Sequence, residues 1–434
     1  MNQSLRAPFM FLAITALIVG TGMVQGWNLA LAILNMGLIS AVMALGVNLQ
    51  WGFAGLFNIG VMGFVALGGL ASVLVAMPPT EGAWDAGGPR IFAGLALGAA
   101  TVALAIYVNK RMPKGLRRGL VLFGIIVVGF TLYRMVFAPG AEAVEDINPA
   151  LYGNLGRLGL PVLLSWPVGG LFAAGGAWVI GKTALGLRSD YLAIATLGIA
   201  EIIVAPLKNE DWLARGVKNI IGIPRPVPFE IDLQASQTFV DRAASLGFNP
   251  VLASTLTVKL AYGLLFTVVL VVLLWFVQKA LNSPWGRMMR AIRDNEDAAE
   301  AMGKDVTARH LQIFILGSAI CGLAGAMMTT LDGQLTPGSY QPLRFTFLIW
   351  VMVIVGGSGN NYGSVIGGIL IWWLWVMVEP IGLWLITTGT SAMADDYWLK
   401  IHLLESSAHM RMLTMGLILL LVLRFSPRGL LPET

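Results

Sequence analysis

The sequence predicts an all-α polytopic membrane protein with about twelve transmembrane helices. Hydrophobic residues make up 57% of the 434 residues, charged residues 12%, and the mean hydropathy is +0.77. A soluble domain carries about 25% charged residues, so this composition leaves too little polar surface for a soluble protein. The 52 glycines add the small residues that allow membrane helices to pack closely.

Twelve apolar segments are interpreted as membrane spans, since a membrane helix needs about 20 apolar residues. They cover residues 8–25, 28–49, 54–77, 91–109, 119–137, 160–181, 189–206, 254–279, 309–331, 343–357, 363–386 and 409–424. Basic connections, as at residues 110–118 and 279–309, alternate with connections that contain acids such as Glu81 and Glu142. Because basic loops stay in the cytoplasm, we expect both termini to be cytoplasmic.

Composition also limits the classes of function. The net charge of +5 is explained by bases in cytoplasmic loops, so no nucleic-acid partner is predicted. The single cysteine, Cys321, excludes a disulfide within the chain, and three scattered histidines do not predict a metal site. No serine–histidine–acid set or carboxylate pair is present. We therefore expect neither catalysis nor a bound cofactor or metal in this chain.

A polar stretch at residues 282–308 separates two apolar spans and predicts an amphipathic helix. Ser283 is a suitable N-cap, Pro284 suits the first helical position, and Gly303 suits the end. A single helix places five residues on one face, namely Met288, Ile292, Asn295, Ala299 and Met302.

The order of charges in this stretch opposes the helix dipole. Arg287 and Arg290 come early, whereas Glu296 and Glu300 come late. Such an order stabilises an isolated helix poorly. We therefore expect this helix to bind a partner.

Two glycine clusters, at residues 51–60 and 356–368, interrupt the apolar pattern. Broken helices in transporters offer backbone groups to a substrate, which makes Gly356 and Gly357 candidates for the substrate path. Close helix packing through small residues explains the same clusters equally well. Asn48 and Asn58 are further candidates, and they line a path or join helices.

One ionisable residue lies near the middle of a predicted span. Glu201 is preceded and followed by apolar residues in the span at 189–206. Ionisable groups inside a bilayer are often functional, so Glu201 is a candidate for the substrate path. A hydrogen bond to a neighbouring helix is the structural alternative.

Several motifs resemble one transporter family. The run GLRSDYLAIATLGIAEI at residues 186–202 resembles the signature of LivM-type permeases, which are membrane subunits of ABC importers for branched-chain amino acids. Further similar segments follow in order: IGIPRP at 221–226, SPWGR at 283–287, AIRDNE at 291–296, AEAMG at 299–303, GLAGA at 322–326 and GGSG at 356–359. The resemblance covers residues 27–77 and 161–432.

The resemblance implies that the helix at 282–308 is a cytoplasmic coupling helix, which inserts into an ATPase subunit. The residues implied in that contact are Arg287, Arg290, Glu296, Ala299, Glu300, Met302 and Gly303. The implied partners are two ABC ATPase subunits, a second, LivH-like permease, a periplasmic substrate-binding protein and the bilayer. ATP and Mg²⁺ are then used by the ATPase subunits, in a machine of the bacterial inner membrane.

The domain organisation follows from the same comparison. The resemblance implies that residues 1–434 form a single permease domain, with a periplasmic loop at 207–253 and the coupling loop at 282–308. Residues 80–158 resemble an insertion that carries two extra transmembrane helices. The segment at 214–220 is bulkier and more basic than the Thr-Gly-Gly-Pro-Asn-Gly run common in the family, which leaves open the import of urea or short amides. Two alternative classes stay open. One is an ion-coupled secondary transporter that uses Glu201, and the other is a membrane scaffold without a transport role.

Overall fold

The computed structural model describes residues 3–147, 158–187, 189–391, 393 and 397–433. Residues 148–157, within the predicted insertion, and the acids at 395 and 396 lie outside the described part. The described chain is mainly α-helical. In chain order the helices are α1 (Gln3–Gln25), α2 (Trp27–Ala54), α3 (Val61–Ala76), α4 (Ala83–Ala86), α5 (Gly88–Arg111), α6 (Leu116–Glu145), α7 (Ser165–Ala184), α8 (Ser189–Asn209), α9 (Asp211–Ala214), α10 (Glu230–Ala235), α11 (Gln237–Ser245), α12 (Pro250–Leu281), α13 (Pro284–Asp294), α14 (Glu296–Ala301), α15 (Val306–Asp332), α16 (Leu348–Gly356), α17 (Asn361–Gly389), α18 (Trp398–Glu405) and α19 (Met410–Phe425).

Shorter elements complete the fold. They are four 3₁₀ turns (Val162–Leu164, Gly216–Lys218, Pro337–Ser339 and Ser406–His409), a π-helical segment (Leu343–Phe347) and strands β1 (Ile220–Ile221) and β2 (Gln334–Leu335). The strands pair antiparallel, with Ile220 opposite Leu335. This pairing ties the loop after α8 to the end of α15. We call this end of the bundle the outer end, and the end that carries α13 and α14 the inner end.

Helix α2 lies at the centre of the bundle, against α1, α12, α15, α16 and α17. Glycines allow the closest approaches. A Cβ on Gly46 would lie 2.6 Å from the carbonyl oxygen of Gly317, and one on Gly68, in α3, would lie 1.8 Å from that of Gly322. Without a hydrophobic driving force between helices in lipid, close packing of this kind stabilises the bundle.

The all-α membrane fold is confirmed, whereas the number of spans stays a prediction. Nine helices in the described part are long and apolar enough to cross a membrane: α1, α2, α5, α6, α7 with its preceding turn, α8, α12, α15 and α17. Helix α3 and the helical segment at 344–356 are apolar but shorter, and α18 and α19 form a pair bent by 72°. These three account for the remaining predicted spans.

The predicted insertion contains an antiparallel hairpin of α5 and α6. Most of its surface is exposed, and its buried residues form a separate small core with the outer loop. In that core Phe137 packs edge-on against Trp212, with 5.3 Å between ring centroids, and the Glu145 carboxylate accepts a hydrogen bond from the Trp212 amide. The hairpin is thus attached at the outer end.

Candidate functional site

The backbone between α2 and α3 leaves the helical conformation for six residues, 55–60, inside the bundle. Gly55 ends α2 with φ of 69°, in the left-handed region that favours glycine. Buried backbone groups in a membrane protein need internal hydrogen-bond partners. Here the Ile59 amide donates to Thr196 Oγ1 at 3.1 Å, and the Ile59 carbonyl accepts from Thr346 Oγ1 at 2.9 Å. Side chains from α8 and from the π-helical segment therefore hold this break.

Asn58 joins the break to two further helices. Its Oδ1 accepts from the Gly60 amide at 2.8 Å, and its Nδ2 donates to Gln50 Oε1 at 2.9 Å. The Gln50 amide in turn donates to Ser318 Oγ and to the Phe314 carbonyl, both at 2.9 Å. Asn58 and Gln50 are both 1% exposed. The side chains of Asn58 and Gln50 therefore position the broken segment relative to α15.

A second break, at residues 357–360, separates α16 from α17. Gly357 and Gly359 adopt φ of 117° and 81°, conformations that other residues rarely take. Asn48 Oδ1 accepts from the Gly359 amide at 2.9 Å, and its Nδ2 donates to Asn361 Oδ1 at 3.2 Å. Asn48 thus brings the middle of the bundle, α2, into direct contact with this second break.

The glycine cluster around the second break combines both arrangements that the sequence allowed. The backbone is broken at Gly357, and α16 also packs tightly against α17. A Cβ on Gly363 would lie 2.6 Å from the Gly356 carbonyl oxygen, and one on Gly367 would lie 2.0 Å from that of Met352. The suggestion that Asn48, Gly356 and Gly357 line a substrate path stays a prediction.

Glu201 lies away from these breaks, on the exposed side of α8. The opposite side of α8 packs on α3 through buried Thr196, Ala200 and Val204. Glu201 is exposed beside Ile202, which is 68% exposed. Its carboxyl group therefore faces whatever covers α8, either lipid or another subunit.

The loop at 282–308 contains two helices, so the prediction of one continuous helix is wrong. Asn295 has φ of −157° and ψ of 100°, and this extended conformation separates α13 from α14. Its Oδ1 accepts from the Ala298 amide at 2.9 Å, so Asn295 caps α14 instead of lying on a continuous face. Glu296 and Asp297 then occupy the first turn of α14, where the helix dipole favours acids.

Ser283 occupies the predicted N-cap position of α13, but the predicted capping hydrogen bond of its side chain is absent. Ser283 Oγ donates to the Ala280 carbonyl at 2.6 Å, at the end of α12, and makes no capping hydrogen bond to α13. Pro284 does occupy the first turn, as predicted. Gly303 ends α14 with φ of 77°, and its amide donates to the Glu300 carbonyl. The loop is therefore a compact pair of short helices.

The two helices present one face to the bundle and one to the surroundings. Met289 and Ile292 are buried against the bundle, with exposures of 0% and 1%. On the other side, most of the residues implied in ATPase coupling are exposed: Arg287, Glu296, Glu300, Met302 and Gly303. Ala299 and Arg290 are half-buried. The 79% exposure of Met302 marks the tip of this surface.

Arg293 connects the loop to the rest of the molecule. Its guanidinium donates to the Gly52 carbonyl in the last turn of α2, to Asp294 Oδ1 at 3.0 Å, and to Glu433 Oε2 at 2.9 Å. Burial lowers the pKa of Arg293, but the hydrogen bonds with Glu433 and Asp294 outweigh that effect and raise its pKa above the usual value. Arg293 is therefore a permanent cation at the carboxyl end of α2, where the dipole favours it.

The C-terminal tail completes this junction. The Leu430 and Leu431 amides donate to the carbonyls of Val355 and Gly356, both at 2.9 Å, and Asn360 Nδ2 donates to the Pro432 carbonyl at 3.1 Å. The tail thus lies along the second break and ends at Arg293. Among the described residues, no group of three or more His, Cys, Asp or Glu residues could hold a metal ion.

Several residues of this junction could not be predicted from the sequence. Gln50, Asn361 and Glu433 make the contacts described above, yet none of them belongs to a recognisable local motif. Arg293 is one of the bases early in the predicted coupling loop, but it is not among the residues implied in the ATPase contact. A polar residue inside an apolar run, as Gln50 is, provided the available signal.

Comparison with known proteins identifies the family. The family model described as the permease component of branched-chain amino acid transport systems matches residues 29–423. The high-affinity branched-chain amino acid transport system permease protein LivM of Escherichia coli strain K12 is 27% identical over 316 residues. This match covers 71% of the present chain and 66% of the E. coli protein, just under two thirds of its length. No solved structure shows a significant match.

Two archaeal proteins extend the comparison. The probable branched-chain amino acid transport permease protein LivM of Methanocaldococcus jannaschii is 27% identical over 72% of the present chain and 83% of its own length. The probable LivH permease of that organism is 30% identical over 58% and 75%. The relatives are transport subunits and not enzymes, and the present chain is likewise a multi-pass membrane protein. It belongs to the family of permease components of branched-chain amino acid transport systems.

Proposed function

We propose that this chain is the permease subunit of an ATP-driven importer for branched-chain or similar amino acids. One observation supports the ATP-driven mechanism most directly. The exposed surface of α13 and α14 is joined through Arg293 to the end of α2 and to the tail that lies on the second break. A force applied to that surface therefore reaches both breaks through a short set of hydrogen bonds.

The surface of α13 and α14 suits a helix-in-groove contact with an ATPase subunit. Met302 offers an apolar tip, and Arg287 and Glu300 offer charges beside it. Two ATPase subunits would bind and hydrolyse ATP with Mg²⁺, and this chain would bind neither. In this arrangement the inner end, with both termini, faces the cytoplasm of a bacterial inner membrane.

The exposed face of α8 suits a second, LivH-like permease. Glu201 on that face would then lie in the path between the two permeases instead of in contact with lipid, which would disfavour a carboxylate strongly. A periplasmic binding protein would deliver the amino acid to the loop at 207–253, which contains α9, α10 and α11. Ile194, an exposed apolar residue of α8, suits an aliphatic side chain of the amino acid.

Reconstituted vesicles provide the test. We expect labelled leucine to enter vesicles that contain the chain, its companion permease, the ATPase subunits and the binding protein, and only when ATP is supplied. Uptake that follows a proton gradient without ATP would overturn the proposal in favour of a secondary transporter. Uptake of urea or a short amide in place of leucine would overturn the substrate class alone.

A matched pair of variants tests the role of Glu201. Glu201→Ala removes a polar group from the face of α8 without disturbing the contacts of Thr196 and Ala200 with α3. Ile202→Ala is the control on the same exposed face. We expect Glu201→Ala to lower the rate of leucine uptake much more than Ile202→Ala does, while both proteins assemble normally. Equal rates would place the path elsewhere.

A further inference from the structure

A polar cavity of about 290 Å³ opens at the inner end between α1, α12, α13 and α17. Two arginines are among its lining residues, Arg6 near the start of α1 and Arg290 of α13. Carboxamides complete the polar wall, from Gln278, Asn282, Asn360 and Asn361. Among the described residues that line this cavity there is no Asp or Glu.

The two arginines differ in their partners from Arg293, the next arginine along the loop. Arg293 is neutralised by Asp294 and Glu433. Within the part of the chain that the structure describes, Arg290 donates only to the Leu281 carbonyl, at 3.5 Å, and Arg6 has no ion-pair partner. Two positive groups that converge on one cavity without a carboxylate repel each other. An anion in the cavity would remove that repulsion and accept hydrogen bonds from both.

We propose that this cavity binds a phosphate ester, and specifically the headgroup phosphate of an anionic phospholipid. The position of Arg6 supports the lipid, because α1 continues from it directly into an apolar helix. Phe9 and Leu12, about 5 and 9 Å further along the axis, are 54% and 69% exposed and offer a surface to acyl chains. Basic clefts between membrane helices on the cytoplasmic side are suited to such headgroups.

Occupancy of the cavity would join two elements that otherwise share few contacts. Arg6 belongs to the first helix and Arg290 to the coupling loop, so one phosphate between them fixes α13 relative to α1. Arg290 would then hold the loop on the side that faces the bundle, whereas Arg287 and Glu300 lie on its exposed surface. This inference rests on the geometry of the cavity and holds whatever solute the protein carries.

Lipid retention by the full chain tests the proposal. The protein would be reconstituted in nanodiscs of phosphatidylcholine with and without phosphatidylglycerol, extracted into detergent, and analysed by native mass spectrometry for bound lipid. Arg6→Gln with Arg290→Gln is the test variant, and Arg6→Lys with Arg290→Lys keeps the charge. Arg111→Gln with Arg118→Gln is the control, since it removes one exposed and one half-buried arginine from the facing ends of α5 and α6, and neither lines the cavity.

We expect the wild type and the Arg111/Arg118 control to retain phosphatidylglycerol in preference to phosphatidylcholine. In the double glutamine variant, each of the two substitutions should weaken that retention about fivefold. The double lysine variant should retain more phosphatidylglycerol than the double glutamine variant does. Displacement of the lipid by millimolar inorganic phosphate would support the anion site and assign it to free phosphate instead. Equal retention of both lipids by the wild type would overturn the proposal, and this result does not depend on whether a variant folds. An unchanged preference for phosphatidylglycerol in the Arg6/Arg290 glutamine variant would also overturn it.

Discussion

The guanidinium of Arg293 and the carboxylate of Glu433 form an ion pair, with 2.9 Å between Nη1 and Oε2, across 140 residues of sequence. The pair closes a junction between the loop at 282–308, the last turn of α2 and the C-terminal tail. Because the tail also lies on the break at Gly357, the junction connects the exposed loop to the interior of the bundle.

A double-mutant cycle measures this junction. Arg293→Ala, Glu433→Ala and the double variant should show a coupling free energy of about 1 kcal/mol, since both side chains are partly solvated. Denaturant unfolding in mixed micelles provides the measurement. Arg293→Ala combined with Glu230→Ala, at the outer end, should be additive. A cycle that closes to zero for Arg293 and Glu433 would show that the pair contributes nothing to stability.

Asn48→Ala should destabilise the protein by about 1–3 kcal/mol. The change removes the acceptor of the buried Gly359 amide and leaves that donor without a partner. Thermal unfolding in detergent provides the measurement, and the free energy of unfolding should fall accordingly. Asn109→Ala, at an exposed position of α5, is the control and should stay within about 0.5 kcal/mol of the wild type. Equal stability of the two variants would contradict the described contact.

Gly68→Ala should destabilise the packing of α3 on α15 by about 3 kcal/mol. The added methyl group would lie 1.8 Å from the Gly322 carbonyl oxygen, so the helices must separate. Gly124→Ala in α6 is the matched control, because its Cβ would meet no atom within 4 Å. There we expect a gain of about 1 kcal/mol or less from helix propensity. The unfolding midpoints of the two variants should therefore move in opposite directions.

Glu300→Arg should weaken association with the ATPase subunits about tenfold while the protein inserts normally. The residue is exposed on α14, where a reversed charge faces the proposed partner and not the bundle. Titration of purified ATPase against nanodiscs that contain the permease would measure the affinity. Asp85→Arg makes the same reversal at an exposed position of α4, at the outer end. Identical affinities for the two variants would remove α14 from the ATPase contact.

The long apolar helices were predictable because each carries a strong, local signal. Residues 254–279 were predicted as a span, and α12 extends from Pro250 to Leu281. The segment at 343–357 carried the same signal. It contains a π-helical segment and a nine-residue helix, and Thr346 in the π-helical segment donates to the Ile59 carbonyl. Hydropathy alone does not distinguish these two outcomes.

The break at Asn295 had a local signal that a longer pattern outweighed. Asn295 followed by Glu296 and Asp297 is typical of a helix start. The apolar spacing from Met288 to Met302 indicated one helix instead, and that interpretation was wrong. The tertiary contacts had no local signal at all. Asn48 and Gly359 are 311 residues apart, and only the packing of α2 against α17 brings them together.

The orientation of α8 could not be predicted for a related reason. A helix between a protein core and lipid is apolar on both sides, so its sequence does not mark the inner face. Thr196 and Ala200 face α3, whereas Ile194 and Ile202 do not. Hydropathy would place the two isoleucines on the buried face of α8, which is the wrong face. The position of Glu201 therefore depended on the three-dimensional structure.

The attachment of the α5–α6 hairpin has a practical consequence. Its small core with Trp212 lies at the outer end, whereas the turn at residues 112–115 lies at the inner end, and Leu116 beside it is 82% exposed. Additional sequence at that turn meets no packed neighbour. A fluorescent protein or an affinity tag inserted there would label the protein at its inner end, outside both the loop at 282–308 and the two breaks.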